Sequence, residues 1–176
     1  MLGQQAVAGK LNEIVAIPLL LERLALSGAL VTIDAIGAQN KIAEVILERG
    51  GDYLLALKAN RPALHADVRD FFADPACEIG DRHDTTDADH GRIKVRRHAV
   101  CHDVGWLLSD RRYAGEPTFP GLTAMVEAET EREDKTSCER RYYLLSAPLD
   151  AKTFARGARP LAHREPPATG SSMWSP

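Results

Sequence analysis

Leu30-Val31-Thr32-Ile33-Asp34-Ala35-Ile36-Gly37 sets four strand-forming residues directly before a carboxylate, with a glycine three positions further on. Aliphatic and β-branched side chains suit a pleated, buried surface, so the stretch predicts a strand that surfaces at Asp34. An acid in that place is positioned for chemistry. The structural alternative is that Asp34 caps the helix that follows, a frequent task for Asp at a strand-to-helix turn.

Upstream, Ile14, Ile17, Leu20, Leu21 and Leu24 recur at helical spacing, with Asn12 as the expected cap and Glu13 in the first turn, where the helix dipole favours an acid. Pro18 removes one backbone donor from that run and predicts a kink or a division. Gln4 to Ala8 reads as the end of an earlier strand. Downstream, a helix over residues 38–49 carries Ile42, Val45 and Ile46 on one face and stops at Gly50-Gly51. Residues 52–58 form the next strand, apolar along its middle as in a strand covered on both faces. Helix, strand, helix, strand in this order predicts an α/β unit with parallel strands. In such sheets ligands collect beyond the carboxyl ends of the strands. Asp34 stands at one such end, and Lys58 and Asn60 at the other.

After Pro62 a helix carries Leu64, Val68, Phe71 and Phe72 until Asp74-Pro75 breaks it. Gly80 to Gly91 is rich in Asp, Thr and His and reads as an exposed loop. His83 and His90 lie there among Asp81, Asp84, Asp87 and Asp89, at a spacing that fits no established metal site. Ile93, Val95, Ala99 and Val100 then alternate with Lys94, Arg96, Arg97 and His98, and residues 122–129 and 140–146 are two further strand-like segments. This half is expected to be antiparallel and β-rich. A helix begins at Asp150-Ala151-Lys152. Residues 157–176 hold several prolines and few large apolar residues, so they are expected to be disordered.

The totals bound the function classes. A chain of 176 residues supports one core of ordinary size. With 44% hydrophobic residues and no apolar run near the ~20 residues of a membrane span, it is expected to be soluble. Met1 to Ala8 lack the features of a secretory signal, so a cytoplasmic setting is expected. Cys77, Cys101 and Cys138 are odd in number and widely spaced, which argues against a disulfide framework and a structural zinc site. A net charge of −3 provides no general phosphate-binding surface, so nucleic-acid contact must come from local clusters. The densest cluster holds Arg92, Lys94, Arg96 and Arg97 between His90 and His98. It suits phosphate-backbone contact, or an ordinary solvated strand face. Lys58 and Asn60 suit phosphate positioning, or the satisfaction of a loop. Arg140, Arg141, Tyr142 and Tyr143 suit strand packing with one charged face, although basic and aromatic residues together also touch DNA.

Five stretches resemble, in order and spacing, the insertion-sequence transposases of the ISAs type. They are residues 10–14, 31–39, 51–60 and 90–93, and Glu139-Arg140-Arg141-Tyr142-Tyr143. That group includes the H-repeat-associated proteins of Rhs elements and falls among the DDE transposases. The resemblance implies a partial ribonuclease-H-like α/β core, a mixed sheet with helices, over residues 1–156, interrupted by a β-rich insertion at 80–146. It also implies DNA transposition by phosphoryl transfer, with three carboxylates holding two Mg²⁺ or Mn²⁺ ions, chemistry for which hard oxygen ligands are suited. By motif, Asp34 corresponds to the second acid, both catalytic residue and metal ligand.

The family's first acid, in an Asp-Gly-Lys motif, and its glutamate, in a Trp-Gly-Ile-Glu-Asn-like helix, have no counterpart in this sequence. Gly157 to Pro167 stands where the latter is expected, which implies an out-of-frame tail. Leu11 and Arg61 replace the family's usual Ser and Gln. The expected function is therefore that of a transposase fragment, inactive alone, whose partners are insertion-sequence ends and a second copy or intact transposase. The alternative is a non-catalytic remnant that binds DNA or the transposase. An unrelated hydrolase or phosphatase would need a second acid at the same sheet edge, and Asp52 begins its strand at the wrong end.

Overall fold

Tyr53, Leu54, Leu55 and Leu57, all 2% exposed or less, lie in a strand that is buried on both faces of the sheet. In the computed structural model the described residues are 10–34, 38–58, 61–89, 92–108, 119–132 and 137–158. Their elements are helix α1 (Lys10–Leu21), strand β1 (Leu30–Ile33), α2 (Asn40–Glu48), β2 (Asp52–Leu57), α3 (Pro62–Ala73), β3 (Asp81–Asp89), β4 (Arg92–Cys101), a 3₁₀ turn (Gly105–Leu108), β5 (Ala124–Arg132), β6 (Ser137–Leu145) and α4 (Ala151–Ala158). The strands make one sheet in the order β1-β2-β6-β5-β4-β3. β1 and β2 run parallel, and every other pairing is antiparallel. The protein is thus mixed α/β, with the antiparallel strands continuous with the parallel pair through the β2–β6 contact.

The two faces have separate cores. Leu55, Leu57, Met125 and Leu144 point to the face covered by α1, α2 and α3, where Ile42, Ile46, Leu64 and Val68 meet them. Leu54, Val100, Val126, Tyr143 and Leu145 point to the opposite face, where Phe154 of α4 packs against them. Burial on both faces accounts for the unbroken apolar run of β2.

Gly50 and Gly51 shape the turn into β2. Gly50 has φ +74°, the left-handed region that favours glycine at a helix end. A Cβ on Gly51 would lie 2.9 Å from the Leu26 carbonyl oxygen, so only glycine lets the strand start pass that backbone. Asp52 N–H then donates to Ala29 O at 2.8 Å and fixes the parallel register.

Three expectations need correction. Residues 81–89, expected as a loop, form β3, whose nine residues pair in continuous register with β4. Half-buried and exposed residues alternate along it, so the strand period is present although the side chains are polar. α1 begins at Lys10, so Asn12 lies inside it and is not its cap, and Pro18 interrupts neither its course nor its end. Asp34 does not cap α2: that helix starts at Asn40 with Gln39 at the cap position. The early strand at residues 4–8 and the tail beyond Ala158 lie outside the described residues.

Candidate functional site

Parallel pairing of β1 with β2 brings their carboxyl ends to one edge of the sheet. Ile33 is opposite Leu55, so Asp34 comes next to Ala56 and the following Lys58 reaches back toward it. Lys58 Nζ lies 3.0 Å from Asp34 Oδ1. Both side chains are mostly exposed, 57% and 75% respectively. A surface ion pair of this kind contributes ~0–1 kcal/mol, because both groups keep much of their water. The pair is a readily opened contact at a solvent-facing edge.

The next strand holds Arg141 and Tyr143, read from the sequence as strand packing or DNA contact. Ala56 pairs with Tyr143 and Leu57 with Tyr142, the last pair of the β2–β6 ladder, just before Lys58. The Arg141 guanidinium pairs with Glu139 at 2.8 Å. Tyr143 is 6% exposed. Burial raises its pKa, and the Arg141 charge opposes that. Asp34 and Lys58 therefore meet at the end of the sheet that the β2–β6 ladder reaches through Tyr142 and Tyr143.

The basic stretch of β4 divides between the two faces. Arg97 points to the face of the first three helices, where its Nη1 lies 2.7 Å from Glu129 Oε1 and 2.9 Å from Glu131 Oε2. Those bonds raise its pKa, that to Glu131 foremost. Glu129 also takes a 2.8 Å bond from Arg140 Nε. Burial pushes the Glu129 carboxyl up, but the hydrogen bonds from Arg140 and Arg97 outweigh it and leave it below its ordinary value. Its neighbour Glu127 is pushed up by burial, against the pull of Arg140. Tyr142, whose hydroxyl is 3.4 Å from Glu127 Oε1, is pushed up to about 12 by burial and by that carboxylate.

Arg96 and Lys94 point to the α4 face, where Arg96 is paired with Asp87 of β3. His98, 6% exposed, lies further along the same strand face, with its ring 5.7 Å from that of Phe154 and Nδ1 3.3 Å from His83 O. Arg92 opens β4 opposite Asp89, and Asn60 lies outside the described residues. The structure thus brings Asp34 and Lys58 together and leaves Lys94, Arg96 and Arg97 apart from them. Arg61 has a structural role: it donates to Asn40 Oδ1 at 3.1 Å and lies over the Phe119 ring.

Among the described residues no three His, Cys, Asp or Glu side chains gather as a metal-holding group. Mg²⁺ needs near-octahedral oxygen coordination. A single carboxylate already engaged by an ammonium does not supply it, so the described residues by themselves do not fit the ion pair that the sequence resemblance implied. Nor does any described helix have the length and apolarity to cross a membrane.

A mixed sheet with an acid and a cation at the carboxyl edge of its parallel strands is the class of protein that fold and site define. By sequence, the chain is a homologue of the H repeat-associated putative transposases. It is 36% identical over 172 residues to the "H repeat-associated putative transposase YhhI" of Escherichia coli, covering 93% of this chain and 44% of that protein. It is 36% identical over 165 residues to the "Putative transposase YncI" of Escherichia coli O157:H7, covering 90% and 41%. An "Uncharacterized protein in dhlA 3'region" of Xanthobacter autotrophicus is 42% identical over 157 residues, covering 85% and 50%. The chain spans about half the length of the curated relatives it matches. No family model matches the chain. No solved structure matches it either.

Proposed function

We propose that the chain is a portion of a DDE-type transposase with a ribonuclease-H-like core, that it binds DNA, and that alone it does not cut it. The observation that carries this reading is the meeting of Asp34 and Lys58 at the carboxyl edge of two parallel strands, in a homologue of putative transposases. That edge is where α/β sheets place their ligands. Asp34 is the carboxylate available to a phosphoryl-transfer centre, and Lys58 is the cation that neutralises it. Catalysis would require further acids from outside the described residues, through a second copy of this chain or a longer transposase.

Binding of the purified chain to duplex DNA carrying insertion-sequence ends, followed by fluorescence anisotropy over a salt series, tests the first half. Affinity is expected to fall linearly with salt on logarithmic axes, as counterion release requires. Absence of such binding would refute a DNA-binding role. Nicking or strand transfer by the same preparation in Mg²⁺ or Mn²⁺ would refute inactivity.

A further inference from the structure

The sheet ends differently on its two sides. β1, at one end of the strand order, is four residues long and uncharged, whereas β3, at the other, has nine residues and among the described residues pairs with β4 on one side only. A free edge presents a row of backbone N–H and C=O groups that another strand can extend. Proteins commonly blunt such an edge with lysine, proline, a bulge or a very short strand. β3 contains neither lysine nor proline, and its register runs from Asp81 opposite Val100 to Asp89 opposite Arg92 without a bulge. What it carries is acid, four aspartates against one arginine.

Those acids discriminate between occupants. A second copy paired antiparallel about the midpoint of β3 would set Asp81 of one chain against Asp89 of the other, and like charges directly opposite destabilise a strand pair. Asp81 and Asp87 are also engaged within the chain: Asp81 Oδ2 accepts from the Ala151 N–H at 2.9 Å, and Asp87 pairs with Arg96. Asp84 differs from them. It is exposed, and Arg97, opposite it on β4, donates instead to Glu129 and Glu131. We propose that the outer edge of β3 is an interaction surface for an extended basic segment of a partner polypeptide, added to the sheet beside β3 with a cation opposite Asp84. Backbone hydrogen bonds along the strand supply affinity, and the charge of the edge selects the partner. This surface lies at the end of the sheet away from Asp34 and does not depend on DNA binding.

The test uses the full chain, isotopically labelled, and three synthetic peptides. One alternates Lys and Val over the length of β3, one alternates Glu and Val, and one is proline-rich with as many lysines as the first, so that it has the charge but cannot enter a ladder. The Lys/Val peptide should bind and slow amide exchange at every second residue of β3, those whose N–H points outward. The other two should do neither. Asp84→Lys should weaken the Lys/Val peptide about three- to tenfold, as an opposite-charge cross-strand pair becomes a like-charge one, with unchanged amide protection in β4 as the check that the variant is folded. Equal affinity in that folded variant would overturn the pairing of a cation with Asp84. If the proline-rich peptide binds as tightly as the Lys/Val peptide, the attraction is charge alone and the added strand is wrong. If the Lys/Val peptide leaves exchange in β3 of the parent chain unaltered, the interaction surface is refuted without recourse to any variant.

Discussion

Ser146→Ala should be a costly small change, because its hydroxyl ties down the start of β2 beside the β2–β6 ladder that joins the parallel pair to the antiparallel strands. Ser146 Oγ accepts from the Tyr53 N–H at 2.9 Å and donates to Asp52 Oδ1 at 2.7 Å. Tyr53 is fully buried, so truncation leaves its amide without a partner and without water. An orphaned buried donor costs ~1–3 kcal/mol. The bond to Asp52 adds less, since that carboxylate is only half-buried and can be rehydrated. The expected loss is about 2–3 kcal/mol, or roughly 1 M in urea midpoint at an ordinary slope. Urea unfolding followed by circular dichroism measures it directly. Asp52→Asn, which keeps an acceptor for the hydroxyl, should lose less. A loss under about 0.5 kcal/mol at constant slope, well below the cost of an orphaned donor, would show that this joint does not hold β6 against β2.

Gly51→Ala should destabilise by about 1–3 kcal/mol, because its Cβ would press on the Leu26 and Ala29 carbonyls; Gly80→Ala, in open space, should be close to neutral in the same thermal melt. Phe154→Ala should cost about 3–5 kcal/mol in denaturant titration, since the ring is 1% exposed and packs against Tyr143 and His98. Burial lowers the pKa of His98 from its ordinary 6.5, and the His83 carbonyl only partly offsets this. A folded-state pKa below the unfolded one means that stability is full above pH 6.5 and is lost as pH falls through the folded value. Urea midpoints measured over a pH series should show this decline, and His98→Gln should flatten it.

The elements that could be read from the sequence are those whose side chains carry the period. α2 and α3 show apolar residues at helical spacing, and β2 is an apolar run between a glycine turn and a lysine. β3 was hidden because its residues are Asp, Thr, His and Arg. It is held through its backbone to β4 at the sheet edge, and an edge strand can remain polar while its partner supplies the packing. The Asp34–Lys58 meeting was legible in outline, since parallel strands must end at one edge. The neighbourhood of β6 was not, because Tyr142 and Tyr143 stand more than a hundred residues from Asp34 in sequence and reach this end of the sheet only through the β2–β6 register. The charge of β4 was legible as a total but not by face. Alternation sends Arg97 to the glutamates of β5 and Arg96 to Asp87, so a single basic cluster in sequence becomes two separate ion-pair groups.

The strand order also sets a timetable for folding. β3 to β6 are neighbours in both chain and sheet, and β1 and β2 are joined through one short helix, so each part can form from local contacts. β2 and β6 meet across a much longer stretch of chain, Tyr53 bonding Ser146, 93 positions away. Closing a loop of that length costs about 4 kcal/mol of chain entropy before any contact repays it, and pairings of such separation are formed late. Lys58 lies on one side of that seam and Arg141 on the other. The Asp34–Lys58 edge can therefore form early with the parallel pair, while its β6 flank arrives with the last and slowest closure, once the sixth strand of a nascent chain has left the ribosome.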